Sequence, residues 1–101
     1  MTDFEKEMLQ KIDAGESLSE HDIRRLVYDF EDRGAREYGD DGRWTRSVTS
    51  IIVLNDRYFA VDWEQGLTEL QENEFWNQPY EVEKKTFQKT IIVTEWIKKN
   101  K

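Results

Sequence analysis

Residues 43–63 read RWTRSVTSIIVLNDRYFAVDW, and this stretch decides the fold. Two β-prone runs flank Asn55-Asp56, and asparagine tolerates the positive φ that a two-residue hairpin turn requires. A turn of this length pairs Leu54 with Arg57 and so fixes the register of the residues on both sides. We therefore predict a β-hairpin that occupies the whole stretch.

Further strands are predicted on both sides of the turn and later in the chain. Three consecutive apolar residues at 51–53 place apolar side chains on both faces of the first strand, which is typical of a central strand. Other β-prone runs follow at residues 80–87 and 90–97, and we expect these two to pair with each other. Residues 43–98 are thus predicted to form an antiparallel sheet of four to five strands.

Two amphipathic helices are predicted before the sheet. Thr2 and Glu5 match a capping box that opens a helix over residues 3–13, and Ser19 with Asp22 match a second box. The second helix repeats apolar residues at positions i, i+3, i+4 and i+7. These residues are Ile23, Leu26, Val27 and Phe30. We expect their side chains to be largely buried against the sheet.

The predicted fold class is α+β, in one domain that spans residues 1–101. A helical hairpin at residues 1–34 would pack on one face of the sheet at residues 43–98. The chain is long enough for one hydrophobic core. Aromatic residues make up 13% of it, and they bury a large area per residue.

Composition limits the partners and the chemistry. The formal net charge is −7, which argues against direct binding of nucleic acid and against docking on anionic lipid. Cysteine is absent, which removes disulfides, thiolate catalysis and cysteine-ligated zinc. The charged first residues and the lack of a long apolar run predict a cytoplasmic protein.

Catalytic motifs are also missing, so we predict no catalytic residue, cofactor or metal. His21 is the only histidine and lies between two acids at a predicted helix start. Asp40-Asp41 before Gly42 has the composition of a hard-cation site, but a polar turn is the commoner meaning of this pattern. Glu81 and Glu83 have strand spacing that places two carboxylates on one side, which is the minimum set for a small hydrolase.

The stretch DWEQGLTELQENEFWNQPYEVE, residues 62–83, combines seven carboxylates with several aromatic residues and has no Lys or Arg. It is either a solvated connection between two hairpins or a carboxylate array held in place by buried aromatics. Such an array would imitate a phosphate backbone and bind a basic groove, with an exposed aromatic residue as a hot spot. The candidate partner-binding residues are Asp62, Glu64, Glu69, Glu72, Glu74, Trp76, Glu81 and Glu83. We expect most of the carboxylates to share one face.

The segments RYFAVDWEQGLTELQENEFWNQPYEVEKKTF (residues 57–87) and IIVTEWIKK (residues 91–99) resemble a group of phage proteins. The resemblance covers residues 43–98 and is to the C-terminal half of small acidic proteins of phages and prophages of Gram-positive bacteria. It implies a protein of the host cytoplasm. Small acidic phage proteins often bind host defence or nucleic-acid enzymes, and anti-CRISPR proteins are among them.

The expected function is that of a non-enzymatic protein-binding module. In this hypothesis a phage-encoded inhibitor uses the acidic stretch to bind the basic surface of a host nucleic-acid-handling or defence protein. One alternative is a phage regulatory or structural adaptor that oligomerises. The other alternative is a small hydrolase that uses paired carboxylates.

Overall fold

The architecture is that of a computed structural model, which describes residues 2–41, 44–68, 71–88 and 92–99. The elements are α1 (Asp3–Asp13), α2 (Glu20–Phe30), a 3₁₀ turn (Arg33–Ala35), β1 (Glu37–Asp41), β2 (Thr45–Leu54), β3 (Arg57–Gly66), β4 (Tyr80–Gln88) and β5 (Ile92–Lys98). The five strands form one antiparallel sheet in the order β1-β2-β3-β4-β5. The two helices pack on one face of this sheet, so the predicted α+β class is confirmed.

The central hairpin forms as predicted. Asn55 and Asp56 have φ values of 46° and 66°, the left-handed values that a type I′ turn requires at both central positions. Leu54 stands opposite Arg57, and the pairing continues without a shift along all of β2 and β3. The register of the hairpin therefore follows from its two turn residues.

The edge strand β1 was not predicted, because the Gly39–Gly42 segment has the composition of a turn. The structure pairs Glu37 with Thr49 of β2 and interrupts the register between Tyr38 and Asp41. A Cβ added at Gly39 would lie 3.1 Å from the Ser47 Cβ, so glycine permits this close approach. Asp41, read from the sequence as part of a polar turn or cation site, is the last residue of the strand.

Both helices begin at the predicted caps. The Thr2 hydroxyl accepts from the Glu5 amide, and Glu5 accepts from the Thr2 amide, which completes the capping box. Ile23, Leu26 and Val27 of α2 are fully buried in the core. Phe30 is only partly buried, because it is the last residue of α2 and stacks at the rim on Phe4, with 5.8 Å between ring centroids. Phe30 therefore packs against the core but is less buried than the other three residues of the stripe.

The two faces of the sheet differ in what packs against them. Side chains such as those of Ile52, Phe59 and Trp63 enter the main core under the helices, and we call this side the helix face. The opposite side, which we call the open face, holds a small second cluster. Its buried members are Ile51, Ala60 and Val82, and Tyr58, Tyr80 and Trp96 pack around them. Among the described residues, no helix has the length and apolar character needed to cross a membrane.

Candidate functional site

The connection between β3 and β4 is anchored by aromatic residues, as its composition predicted. Phe75 is 1% exposed and stacks on Trp63 with 4.9 Å between ring centroids. Next to it, Glu64 and Glu74 pair as an isolated bridge, with N–H to O distances of 3.0 and 2.9 Å. The connection therefore runs along the end of β3, where Phe75 and the Glu64–Glu74 bridge anchor its backbone.

Gly66 allows the connection to turn back at the end of β3. A Cβ at this position would lie 2.1 Å from the carbonyl oxygen of Gln71, a distance that no side chain permits. The Gly66 amide also donates to Asn73 Oδ1 at 2.9 Å. This close approach was not predicted, because a glycine at the end of a β-prone run also fits an ordinary turn.

Three of the candidate carboxylates lie together on the open face. Asp62 and Glu64 are on this face because the intervening Trp63 is in the helix-face core. Glu74 stands directly opposite Glu64 and so shares its face. Glu37 of β1 joins them, since it stands opposite Thr49, whose hydroxyl donates to Asp62 Oδ1 at 2.6 Å. We call Glu37, Asp62, Glu64 and Glu74 the acidic patch.

Trp76 completes this surface. Its neighbour Phe75 enters the helix-face core, so alternation along the extended chain directs Trp76 to the side of the acidic patch. The side chain is 66% exposed, the largest value among the exposed large hydrophobic residues of the described chain. The patch therefore has an accessible aromatic residue at its margin.

No described Lys or Arg forms an ion pair with a carboxylate of the acidic patch. The neighbouring partners are neutral: the Ser47 hydroxyl donates to Glu64 at 3.1 Å and the Tyr80 hydroxyl to Asp62 at 3.4 Å. Burial, followed by the negative charge of Asp62, raises the pKa of the Tyr80 hydroxyl. Two lysines of the open face, Lys84 and Lys98, lie over the Trp96 and Tyr80 rings at 5.8 and 5.5 Å and form no ion pair with the patch.

Glu81 and Glu83 lie on the other side of the sheet, which corrects the expectation that the two pairs share a face. The register places Glu81 opposite Phe59, whose side chain is in the helix-face core. Arg57 donates to the Glu81 carboxylate at 3.0 and 3.2 Å, and Lys99 lies 3.4 Å from it. Only 11% of the Glu81 side chain is exposed, so this carboxylate is covered by its own ion-pair partners and is not available to a binding partner.

The two remaining candidates lie in the connection. Glu72 is exposed to solvent, and Glu69 lies outside the described residues. The acidic stretch predicted from the sequence therefore divides into three groups. Asp62, Glu64 and Glu74 form a patch, Glu72 and Glu83 are exposed acids outside it, and Glu81 is an internal ion-pair partner.

The Glu81 network makes stability depend on pH. A hydrogen bond from Arg57 holds the pKa of Glu81 below its ordinary value, and such a carboxylate stabilises the fold above its unfolded pKa. This contribution is lost as pH falls through the lower, folded pKa. We expect the melting temperature to fall as the pH is lowered. The fall should be less steep in Arg57→Met, because this variant has already lost the Arg57–Glu81 ion pair. An unchanged acid profile would contradict the role of the pair.

Two observations bear on the metal site and on the paired-carboxylate chemistry considered from the sequence. Among the described residues, no group of three or more His, Asp or Glu side chains is arranged to hold a metal ion. Arg57 keeps Glu81 ionised at neutral pH, which is unsuitable for a general acid. Arg46 packs over the Tyr38 ring at 4.9 Å, which is a cation–π contact within the protein.

Comparison with known proteins found no matching family model, no matching curated protein and no matching solved structure. The function must therefore be inferred from the geometry of the chain itself.

Proposed function

We propose that this chain is a non-enzymatic protein-binding module that docks its acidic patch on the basic surface of a partner. The observation that carries the proposal is the acidic patch itself. Its four carboxylates form no ion pair with a Lys or Arg of the described residues, and the exposed Trp76 lies beside them. A partner with a groove built for nucleic acid has the matching charge. With the resemblance to phage proteins, this supports a host nucleic-acid-handling or defence protein as the partner.

The anchored connection supports a binding role because it fixes the position of the charges. Asp62 and Glu64 are two residues apart on one strand, so their Cα atoms are separated by about 6.5 Å. A fixed array loses little side-chain entropy on association, and a negative field speeds the encounter with a basic partner. An exposed tryptophan at the margin has the character of a binding hot spot.

Charge reversal of the patch tests the proposal. Glu64 and Glu74 face each other across their bridge, so Glu64→Lys with Glu74→Lys replaces one like-charge pair by another. We expect the fold to remain stable within about 1 kcal/mol. Immobilised wild-type chain should retain nucleic-acid-binding proteins from a Gram-positive bacterial lysate, and duplex DNA should release them. The double variant should retain at least about tenfold less, because the steering field is reversed.

A matched control keeps the same net charge. Glu16→Lys with Glu83→Lys changes two exposed acids outside the patch, and this variant should bind like the wild type. If the patch variant and the control capture the same proteins equally, the acidic patch is a solvated surface and the proposal is wrong. Release by neutral polymer as readily as by duplex DNA would contradict the phosphate-like character of the patch.

A further inference from the structure

The outer edge of β5 has backbone groups that pair with no described strand and that another strand could bind. All seven residues of β5 pair with β4 in an unbroken register, and no described strand lies on the other side. The opposite edge strand, β1, is shorter, contains Gly39 and has an irregular register, features that discourage edge pairing. None of these features occurs in β5, whose side chains include the exposed Ile97 and the half-buried Trp96.

The backbone of β5 shows which groups this edge offers. The Lys99 amide donates to the Glu81 carbonyl of the β4 segment at 3.0 Å, so Lys99 directs its backbone groups inward. Successive residues of a strand alternate in this direction. Trp96 and Lys98 therefore present their N–H and C=O groups to the outside. A partner strand must place its own outward-directed residues opposite these two.

We propose that β5 pairs in antiparallel orientation with β5 of a second copy of this chain, around a two-fold axis at Ile97. The sequence Glu95-Trp96-Ile97-Lys98-Lys99 is complementary to itself about this centre. Trp96 then lies opposite Lys98 of the second copy, and the two exchange backbone hydrogen bonds. Glu95 lies opposite Lys99 of the second copy, and each contact occurs twice, as two-fold symmetry requires.

Charge favours this register, because an axis at Trp96 would set Glu95 opposite Ile97 and form neither Glu95–Lys99 contact, and two other axes set like charges opposite each other. A shift of the axis to Glu95 would set two glutamates directly opposite each other, and a shift to Lys98 would do the same with two lysines. With the axis at Ile97, Glu95 and Lys99 occupy the non-hydrogen-bonded positions, where opposing side chains approach most closely. The two Ile97 side chains, each 38% exposed in the single chain, meet at the axis.

The contact also continues an alternation of charge that already exists within each copy. On the helix face, Arg57 lies between Asp13 and Glu81, and Lys99 follows Glu81. Glu95 of the second copy would be next in this row. Basic and acidic residues thus alternate across the proposed interface.

Two single variants and their mixture test this register. Glu95→Lys sets lysine opposite Lys99 twice in its own dimer, and Lys99→Glu sets glutamate opposite Glu95 twice. In a dimer of one chain of each, both contacts join opposite charges. We expect the wild type to dimerise in sedimentation equilibrium below about 1 mM, each variant alone to associate about tenfold more weakly, and an equimolar mixture to form a heterodimer.

Glu72→Lys is the matched control for Glu95→Lys, since it also replaces one exposed glutamate by lysine but does so in the β3–β4 connection. This variant should dimerise like the wild type. A wild type that remains monomeric to about 1 mM overturns the proposal. So does dimerisation that neither β5 variant weakens, or a mixture that associates no better than its parts. The Glu64→Lys, Glu74→Lys variant should still dimerise, so this inference and the proposed function fail independently.

Amide hydrogen exchange supplies a readout that general destabilisation would not imitate. In the dimer the Trp96 and Lys98 amides are bonded across the interface, whereas the Lys99 amide is bonded within the chain in either state. Protection of Trp96 and Lys98 should rise with protein concentration, and protection of Lys99 should change far less. Equal concentration dependence at all three amides would contradict pairing through this edge.

Discussion

Phe75→Ala is expected to lower the free energy of unfolding by about 3–5 kcal/mol, the usual cost of removing a buried phenylalanine. The Phe75 ring is 1% exposed and contacts aromatic rings on two sides: it stacks on Trp63 and meets the edge of Tyr28 at 5.7 Å. Alanine leaves a cavity at the only fully buried anchor of the β3–β4 connection within the described residues. Urea unfolding monitored by tryptophan fluorescence measures the loss.

The adjacent residue provides the control for this prediction. Trp76→Ala removes a larger aromatic side chain, but one that is 66% exposed, so the expected change in stability is within about 0.5 kcal/mol. The two variants therefore separate anchoring from partner binding: Phe75→Ala lowers stability, and Trp76→Ala lowers the partner affinity expected of the acidic patch. A loss below about 1 kcal/mol for Phe75→Ala would mean that the connection is not held by this ring.

Local sequence signals account for the parts of the fold that were predicted correctly. The two-residue turn at Asn55 and Asp56 fixes the β2–β3 register, because a shift by one residue would move Phe59 from the core to the open face. The capping residues Thr2 and Ser19 mark the helix starts in the same local way. Such features depend on neighbours within a few residues and are therefore visible in one sequence.

The missed strand β1 and the missed patch residue Glu37 have a common cause. A short edge strand with Gly39 has neither alternation nor β-branched residues to identify it, and it is a strand only because β2 offers an unpaired edge. Glu37 reaches the acidic patch through that pairing alone. No signal within the 37–41 segment predicts its place beside Asp62.

The division of the acidic stretch between two faces also depends on long-range pairing. Strand alternation predicted that Glu81 and Glu83 share one side, but the side itself depends on the register between β3 and β4. A connection of more than ten residues leaves that register undetermined by local sequence, whereas a two-residue turn specifies it. Pairing of Phe59 with Glu81 sends the carboxylate to the helix face and to Arg57.

A buried polar network joins the segment after α2 to the centre of the sheet. The Glu31 side chain is 2% exposed and forms a two-bond ion pair with Arg36, whose Nε donates to Oε2 at 2.8 Å. The Ser50 hydroxyl also donates to Glu31, and the Trp63 Nε1–H donates to Ser50 Oγ at 2.8 Å. Each oxygen of the carboxylate thus has a donor within the protein.

Arg36→Met is expected to destabilise the fold by about 3–5 kcal/mol, because it removes a two-bond ion pair from a carboxylate that is 2% exposed. Methionine retains an apolar stem beside the Trp63 ring, which the guanidinium now overlies at 5.6 Å, so lost packing contributes little. Adding Glu31→Gln removes the buried negative charge and keeps an oxygen that can accept from Ser50. The double variant should recover more than half of the lost free energy of unfolding. Urea unfolding of the wild type, both single variants and the double variant gives the coupling energy directly. If Arg36→Met and the double variant are equally unstable, the cost is one of packing, and loss of the Glu31–Arg36 ion pair is not its cause.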